Sequence, residues 1–275
     1  MRRCLRESMI YYVNPIGVVR SAVTRSRDMP LQGVPAVIEI YEEFSEGMSG
    51  LQDDTHINVI GWFDKADRAP LMVAPRKINP ELEKRGVFSL RSPTRPNPLS
   101  LSATRLLRVE GRLLYVEALD LIDESPIIDI KPYSAGWDVV FWARDAHSSL
   151  IAQRAKQAEA LAEFAREAYS FHGEKCPATA VAAKISYDAT AELGMSTRDM
   201  SVQLPRKVDP HLADSLIGIT RATLGNGRLA VCSDQCEVRI SSGNKSIGYR
   251  VFERLPRDPN RILDMTSEEL FLKGE

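Results

Sequence analysis

No stretch of this 275-residue sequence approaches the roughly 20 consecutive apolar residues that a membrane-spanning helix needs, so no membrane partner is expected. The opening Met1-Arg2-Arg3-Cys4-Leu5-Arg6-Glu7-Ser8 is basic, but the apolar Met9-Ile10-Tyr11-Tyr12-Val13 behind it is too short for a signal-peptide core. The default address is therefore the cytoplasm. An excess of charge of one sign is missing too: 36 lysines and arginines against 37 acids leave a net charge of −1. Any attraction to nucleic-acid phosphate must then come from a local basic patch. Cysteine is scarce, with four at positions 4, 176, 232 and 236. In a reducing compartment a clustered subset of so few points to metal binding or redox chemistry before disulfides. Internal repeats and low-complexity segments are also missing.

What is present suits two ordinary domains with buried cores. Residues from about 10 to 142 are β-rich. Ile16–Val19, Ala36–Ile40, His56–Phe63, Leu113–Ala118 and Trp137–Trp142 are β-branched and aromatic runs, punctuated by Pro, Gly, Asn and Asp. Gly111 after Val109-Glu110 marks a hairpin, and many short strands with tight turns argue for a barrel or sandwich. From Ala146 to Ser170 the chain turns to Ala, Glu, Gln, Lys and Arg with apolar residues at helical spacing. A second helix is expected from Pro177 to about Leu193, with proline at its start and Gly194 as its stop. A third spans Pro210 to Ile219, strands resume at Arg228–Cys232 and Glu237–Ile240, and the last twenty residues read as a weakly ordered tail or terminal helix. The fold class is thus α+β, with the domain boundary near 143–150.

The densest chemistry lies in Arg85–Pro98. Three prolines, at 93, 96 and 98, deny Arg91-Ser92-Pro93-Thr94-Arg95-Pro96-Asn97-Pro98 a helix and stiffen it as an extended loop. From Arg85 to Arg108 there are arginines at 85, 91, 95, 105 and 108 and no acid. Such a stretch is either a solvated arginine-rich loop or a rigid clamp for an anion. A second cluster holds Asp123, Asp129, Lys131 and Tyr133. On an extended stretch Asp129, Lys131 and Tyr133 face one way, which suits a cationic ligand or an ordinary surface ion pair. Further on, His172, Cys176, His211, Cys232 and Cys236 form a pool large enough for a four-coordinate zinc site, although their spacing fits no standard finger. Cys176 stands just before a helix, a position that favours the thiolate a metal or an electrophile needs. The plain alternative is inert buried thiols, or oxidation of Cys232 with Cys236.

Gly86-Val87-Phe88, Arg91 through Pro98 and Asp129-Ile130-Lys131-Pro132-Tyr133, preceded in order by Ile16–Ser21 and His56–Phe63, resemble the TsaA/TrmO-like family over residues 14 to 142. The resemblance implies a small β-barrel that binds S-adenosylmethionine and works as a homodimer. The reaction it implies is N6-methylation of threonylcarbamoyladenosine in tRNA. Arg91, Ser92, Arg95, Asn97 and Lys131 are then the expected cofactor-binding residues, with Arg91 or Arg95 on the methionine carboxylate. Asp129, Tyr133 and Asp123 are the expected catalytic residues. Where that family commonly has Asp-Gly-Thr-Pro, this chain has Asp123-Glu124-Ser125-Pro126, which predicts a backbone adjustment at the lost glycine.

His172-Gly173-Glu174-Lys175-Cys176-Pro177, with Asp214–Thr220 and Thr223–Leu229, resembles the metal-binding FmdE family. The organisation expected is therefore a barrel over 10–143, a helical linker and FmdE-like α+β domain over 146–255, and a tail over 256–275. The metal-binding resemblance also leaves two further readings open. One is a methyltransferase whose acceptor is a small molecule or a metal-bound group; the other is a sensor of S-adenosylmethionine or metal without turnover.

Overall fold

The computed structural model describes residues 12–53, 55–77, 82–140, 157–233 and 237–274. The chain divides into two units, chiefly between Val139 and Val140, with the short segment 77–79 also assigned to the second. The boundary expected at 143–150 lies outside the described residues, as do the first turns of the helix expected from Ala146.

In the first unit, six antiparallel strands close into a barrel. They are β1 (Gly17–Ser21), β2 (Val34–Ile40), β3 (Thr55–Trp62), β6 (Leu99–Glu110), β7 (Leu113–Leu119) and β8 (Pro126–Pro132), in the order β1-β2-β7-β6-β3-β8 with β8 returning to β1. A minor pair, β4 (Met72–Val73) and β5 (Arg85–Gly86), forms a separate ribbon. Closure gives each strand two neighbours, although β6 meets β7 only from Leu106 to Glu110, and the period-two alternation sends Ile38, Ile40, Ile57, Val59, Leu114 and Val116 inward. The hairpin expected at Gly111 joins β6 to β7, and there the glycine has a φ of +58°.

Strand β6 inverts the usual pattern. Its buried positions include Ser100 and Thr104, while Leu99, Leu101 and Leu107 face outward. The two hydroxyls accept from the Gly61 and Ala118 amides, so burying them costs little. The strand expected over Trp137–Trp142 is not formed in its described part. Ala135–Asp138 is a single helical turn (α1) with Trp137 exposed, because the Ser134 carbonyl accepts from the Trp137 and Asp138 amides. The turn that lost its glycine keeps the glycine-like conformation, with Glu124 at φ +65°. Its carboxylate pairs with Arg20, which offsets part of the 1–2 kcal/mol typical of a left-handed non-glycine residue.

The second unit is a helical layer on a five-stranded sheet. Its helices are α2 (Gln157–His172), α3 (Pro177–Leu193), α4 (Pro210–Thr220) and α5 (Pro259–Asp264). Its strands are β9 (Ser201–Pro205), β10 (Leu229–Cys232), β11 (Val238–Ser242), β12 (Lys245–Val251) and β13 (Phe271–Gly274), ordered β10-β9-β11-β12-β13. Helix α3 begins at Pro177 and stops at Gly194 as the sequence predicts, with Gly194 at φ +65°. Strands β9 and β10 run parallel because α4 carries the chain between them. The segment read as a tail is part of the fold: β13 pairs with β12, and Ile262, Leu270 and Phe271 are buried in the same core as α3. A network centred on the buried Tyr249 and Asp188 ties this end down. The Tyr249 hydroxyl donates to Asp188 Oδ1 at 2.9 Å, and Lys273 donates to Asp188 Oδ2 at 3.1 Å.

Candidate functional site

On the barrel, the loop Val87–Pro98 is braced from within. The Arg95 guanidinium donates to the carbonyls of Ser92 and Val87 at 2.9 Å each and to that of Leu90 at 2.5 Å. Three carbonyls on one planar fork fix the loop's path. That use sets Arg95 apart from Arg91, whose exposed side chain donates to the Leu101 carbonyl of β6. The Ser92 hydroxyl accepts from the Thr94 amide, Asn97 is exposed, and the Asn97 carbonyl accepts from Leu99.

A β-bulge decides where Asp129 points. Gly61 lies opposite Ile127, yet Ile60 lies opposite Asp129, so Ile128 is the extra residue. Without it Asp129 would share the inward face of Ile127; with it Asp129 joins Ile60 outside. Asn58 opposite Lys131 and Ile60 opposite Asp129 put both charged residues on one outer row, where Lys131 Nζ and the Asp129 carboxylate are 2.6 Å apart. Across β3 the row continues through Ala103, Leu101 and Leu99 of β6, the last opposite Trp62. Tyr133 donates its amide to the His56 carbonyl, and the two rings lie 6.2 Å apart at the end of this row. Leu101, whose carbonyl Arg91 meets, is two strands from Asp129, with Ile60 of β3 between them. Trp62 carries Arg68 over its ring at 5.2 Å, a pair the sequence reading did not single out. Asp123 does not join this group. It sits beyond the other end of β8, where its carboxylate accepts from the Ser21 amide at 3.0 Å and its own amide donates to Val23.

In the second unit three helix ends converge. His172 ends α2, Cys176 caps the start of α3, and His211 lies in the first turn of α4 behind the Asp209 cap. Gly218 lets α4 lie against Phe171 of α2: an added Cβ would stand 2.5 Å from Phe171 Cβ. The result brings one ligand atom each of His172, Cys176 and His211 within 4.8 Å of one another. The two imidazoles approach to 2.7 Å between His172 Nε2 and His211 Nδ1, and Cys176 Sγ is 4.0 Å from His211 Nδ1. Cys232, at the end of β10, stays outside this cluster, and Cys236 lies outside the described residues. Two acids that the sequence reading did not place at the site, Glu174 and Asp214, flank the histidines. Their signals were the His-x-Glu spacing and the i, i+3 spacing of Asp214 from His211 on a helix.

Against known proteins, residues 18–139 match the family described as the tRNA-methyltransferase O N-terminal domain. An S-adenosyl-L-methionine-binding protein of Archaeoglobus fulgidus is 43% identical over 132 residues, which cover 46% of this chain and 93% of that protein. The chain belongs to this family. The matched segment is the barrel, from β1 through β8 and α1. A second Archaeoglobus fulgidus protein, named "Probable S-adenosyl-L-methionine-binding protein", is 33% identical over 230 residues, 80% of this chain. That alignment is longer than the barrel unit, so it reaches into the second unit. The chain spans 61% of the length of that relative. TrmO from Pseudomonas aeruginosa, in a crystal structure, is 29% identical with a TM-score of 0.42, covering 50% of this chain and 63% of that one. Among the described residues no helix is long and apolar enough to cross a membrane.

Proposed function

We propose that this chain is an S-adenosylmethionine-dependent methyltransferase whose acceptor is tRNA, at N6 of threonylcarbamoyladenosine. The family match over residues 18–139 carries the reading. The names of the two Archaeoglobus relatives support the cofactor. S-adenosylmethionine, when bound, supplies a methyl group on a sulfonium, open to in-line displacement. Residues of the barrel unit suit it. Arg91 offers an exposed cation for a carboxylate, and Tyr133 offers an aromatic face to a sulfonium. Arg95 keeps the Ser92–Asn97 loop in shape through its three carbonyls. Asp129 orients the incoming N–H and accepts its proton, with Lys131 holding the carboxylate in place. The acid-free arginine stretch from Arg85 to Arg108 supplies the local positive charge that phosphate contact requires. A homodimer in the cytoplasm is part of the same reading.

The second unit is read as an FmdE-like metal-binding domain. Its donor set of two imidazoles and one thiolate, gathered within 4.8 Å, is chemistry that zinc accepts. That cluster also favours a second reading, in which the methyl acceptor is a small thiol or metal-bound group held by this unit. A sensor that binds S-adenosylmethionine without turnover stands behind both.

The deciding assay is transfer of labelled methyl from S-adenosylmethionine to bulk tRNA from cells lacking their own such enzyme. Label on one modified adenosine, lost in Asp129→Asn with cofactor binding retained by calorimetry, is the expected result. Cofactor binding without any transfer to tRNA would move the assignment to a small acceptor. A flat salt dependence of tRNA binding would also count against an RNA substrate.

A further inference from the structure

Glu174 and Asp214 stand on opposite sides of the His172 ring. Glu174 Oε1 is 3.7 Å from His172 Nε2 and 3.8 Å from His211 Nδ1. Asp214 Oδ2 is 3.7 Å from the other nitrogen, His172 Nδ1. The ring therefore presents Nε2 to the cluster and Nδ1 toward a carboxylate; an approach of roughly 0.5–1 Å would bring that acid into the hydrogen bond by which a carboxylate fixes the tautomer and direction of a metal-binding histidine. We propose that Glu174 is the fourth protein ligand of a zinc-class dication held by His172, Cys176 and His211, and that Asp214 is the positioning residue for His172. This rests on the metal reading of the cluster given above.

Distances carry the first part of the argument. Metal–nitrogen and metal–oxygen bonds of roughly 2.0–2.2 Å set tetrahedral edges of about 3.3–3.5 Å between ligand atoms, and an edge to sulfur is a few tenths longer. Both Glu174 separations from the histidines exceed such an edge by less than about half an ångström, whereas Glu174 stands outside the set of three whose ligand atoms all lie within 4.8 Å of one another, so its carboxylate must also close on Cys176. The cysteine–histidine separation of 4.0 Å is similarly close, and the histidine pair at 2.7 Å is short by about as much. The side chains that must move are free to do so, since Glu174 is 62% exposed and His211 49%, while His172, at 10%, is the fixed corner.

Charge carries the second part. Cys176 and His211 both lie at helix starts, whose partial positive charge opposes a bare dication. A thiolate and a carboxylate together neutralise the ion, with the two imidazoles neutral; a thiolate alone would leave one positive charge against two helix N-termini. Gly173, at φ +95°, turns the chain between His172 and Cys176 so that the residue after it returns toward the ring.

The test uses the full chain, stripped with chelator and titrated with cobalt(II) as the probe. The unsubstituted protein should take up one equivalent, with four-coordinate ligand-field bands and a thiolate charge-transfer band that Cys176→Ser abolishes. Glu174→Ala should keep the charge-transfer band, weaken and shift the ligand-field bands as water enters, and lower affinity at least tenfold. Asp214→Asn should lower affinity about 10–100-fold with the spectrum unchanged. Both acids are exposed, and unchanged circular dichroism and Tm would show that folding is intact. Affinity and spectrum unaltered in Glu174→Ala would overturn its assignment as a ligand, and unaltered affinity in Asp214→Asn would overturn its positioning role. No cobalt uptake by the unsubstituted protein, or a charge-transfer band that survives Cys176→Ser, would instead refute the metal reading beneath them.

Discussion

Gly218→Ala is the perturbation on which the second unit's architecture makes its sharpest demand. An alanine Cβ at this position would lie 2.5 Å from Phe171 Cβ, 3.0 Å from Phe171 Cγ and 3.3 Å from the Glu167 carbonyl oxygen. Carbon atoms settle at about 3.5–4.0 Å, so α2 and α4 must separate by about 1 Å. The obstructing atom is a Cβ, fixed to its own helix, so a rotamer change cannot relieve the contact. Alanine returns about 1 kcal/mol in helix propensity over glycine. Overpacking a filled core costs roughly 1–3 kcal/mol, and here the shift also loosens the buried Ala168, Leu216 and Ile219. Because the clash is with a Cβ that cannot rotate away, the upper part of that range, about 2–3 kcal/mol, applies, leaving a net loss of about 1–2 kcal/mol and a fall of roughly 3–8 °C in the Tm of a unit this size. Because Phe171 adjoins His172, the same shift changes the spacing of the two histidines, and cobalt(II) affinity should change along with stability. Calorimetry and metal titration of the full chain read both effects. An unchanged or raised Tm would mean that the close approach at Gly218 does not hold α4 on α2, and the account of how the three helix ends meet would fail with it.

Burial, together with the neighbouring Asp188, raises the Tyr249 phenol well above the ordinary tyrosine value. The folded protein therefore keeps a proton that the unfolded chain loses near pH 10, so stability should decline as pH rises above about 10. Tyr249→Phe should remove that alkaline decline and cost about 1–2 kcal/mol at neutral pH, measured by urea unfolding at both pH values. If the alkaline decline persists in the variant, it arises elsewhere. Asp209 caps α4 by accepting from His211 at 2.8 Å and Leu212 at 3.4 Å; Asp209→Ala should lose about 0.5–2 kcal/mol of stability in thermal melts. Arg95→Ala should raise amide exchange across Val87–Asn97 and weaken S-adenosylmethionine binding by calorimetry, whereas unaltered exchange would show that the loop holds its path without the arginine.

Helix α3 was legible to the residue, because Pro177 and Gly194 are local signals whose φ preferences act whatever the chain packs against. The barrel strands with alternating β-branched residues were legible for the same reason. Strand β6 was not: its buried serine and threonine and its outward leucines invert the pattern that marks an inner face. Their burial becomes affordable only when the Gly61 and Ala118 amides arrive from neighbouring strands.

The candidate sites divide along the same line. By itself the sequence determined which residue types were available: the rigid arginine loop, the Asp129–Lys131–Tyr133 run, and the histidines and cysteines of the second unit. Tertiary structure alone decided how they are used. The bulge at Ile128 turned Asp129 outward, and backbone carbonyls claimed Arg95. The Ser21 amide claimed Asp123, and the packing of three helix ends selected His172, Cys176 and His211 while leaving Cys232 aside. Spacing along a chain fixes which face of one element a side chain occupies. Which element lies opposite, and whether it offers a carbonyl, a carboxylate or a second imidazole, depends on contacts between residues far apart in sequence.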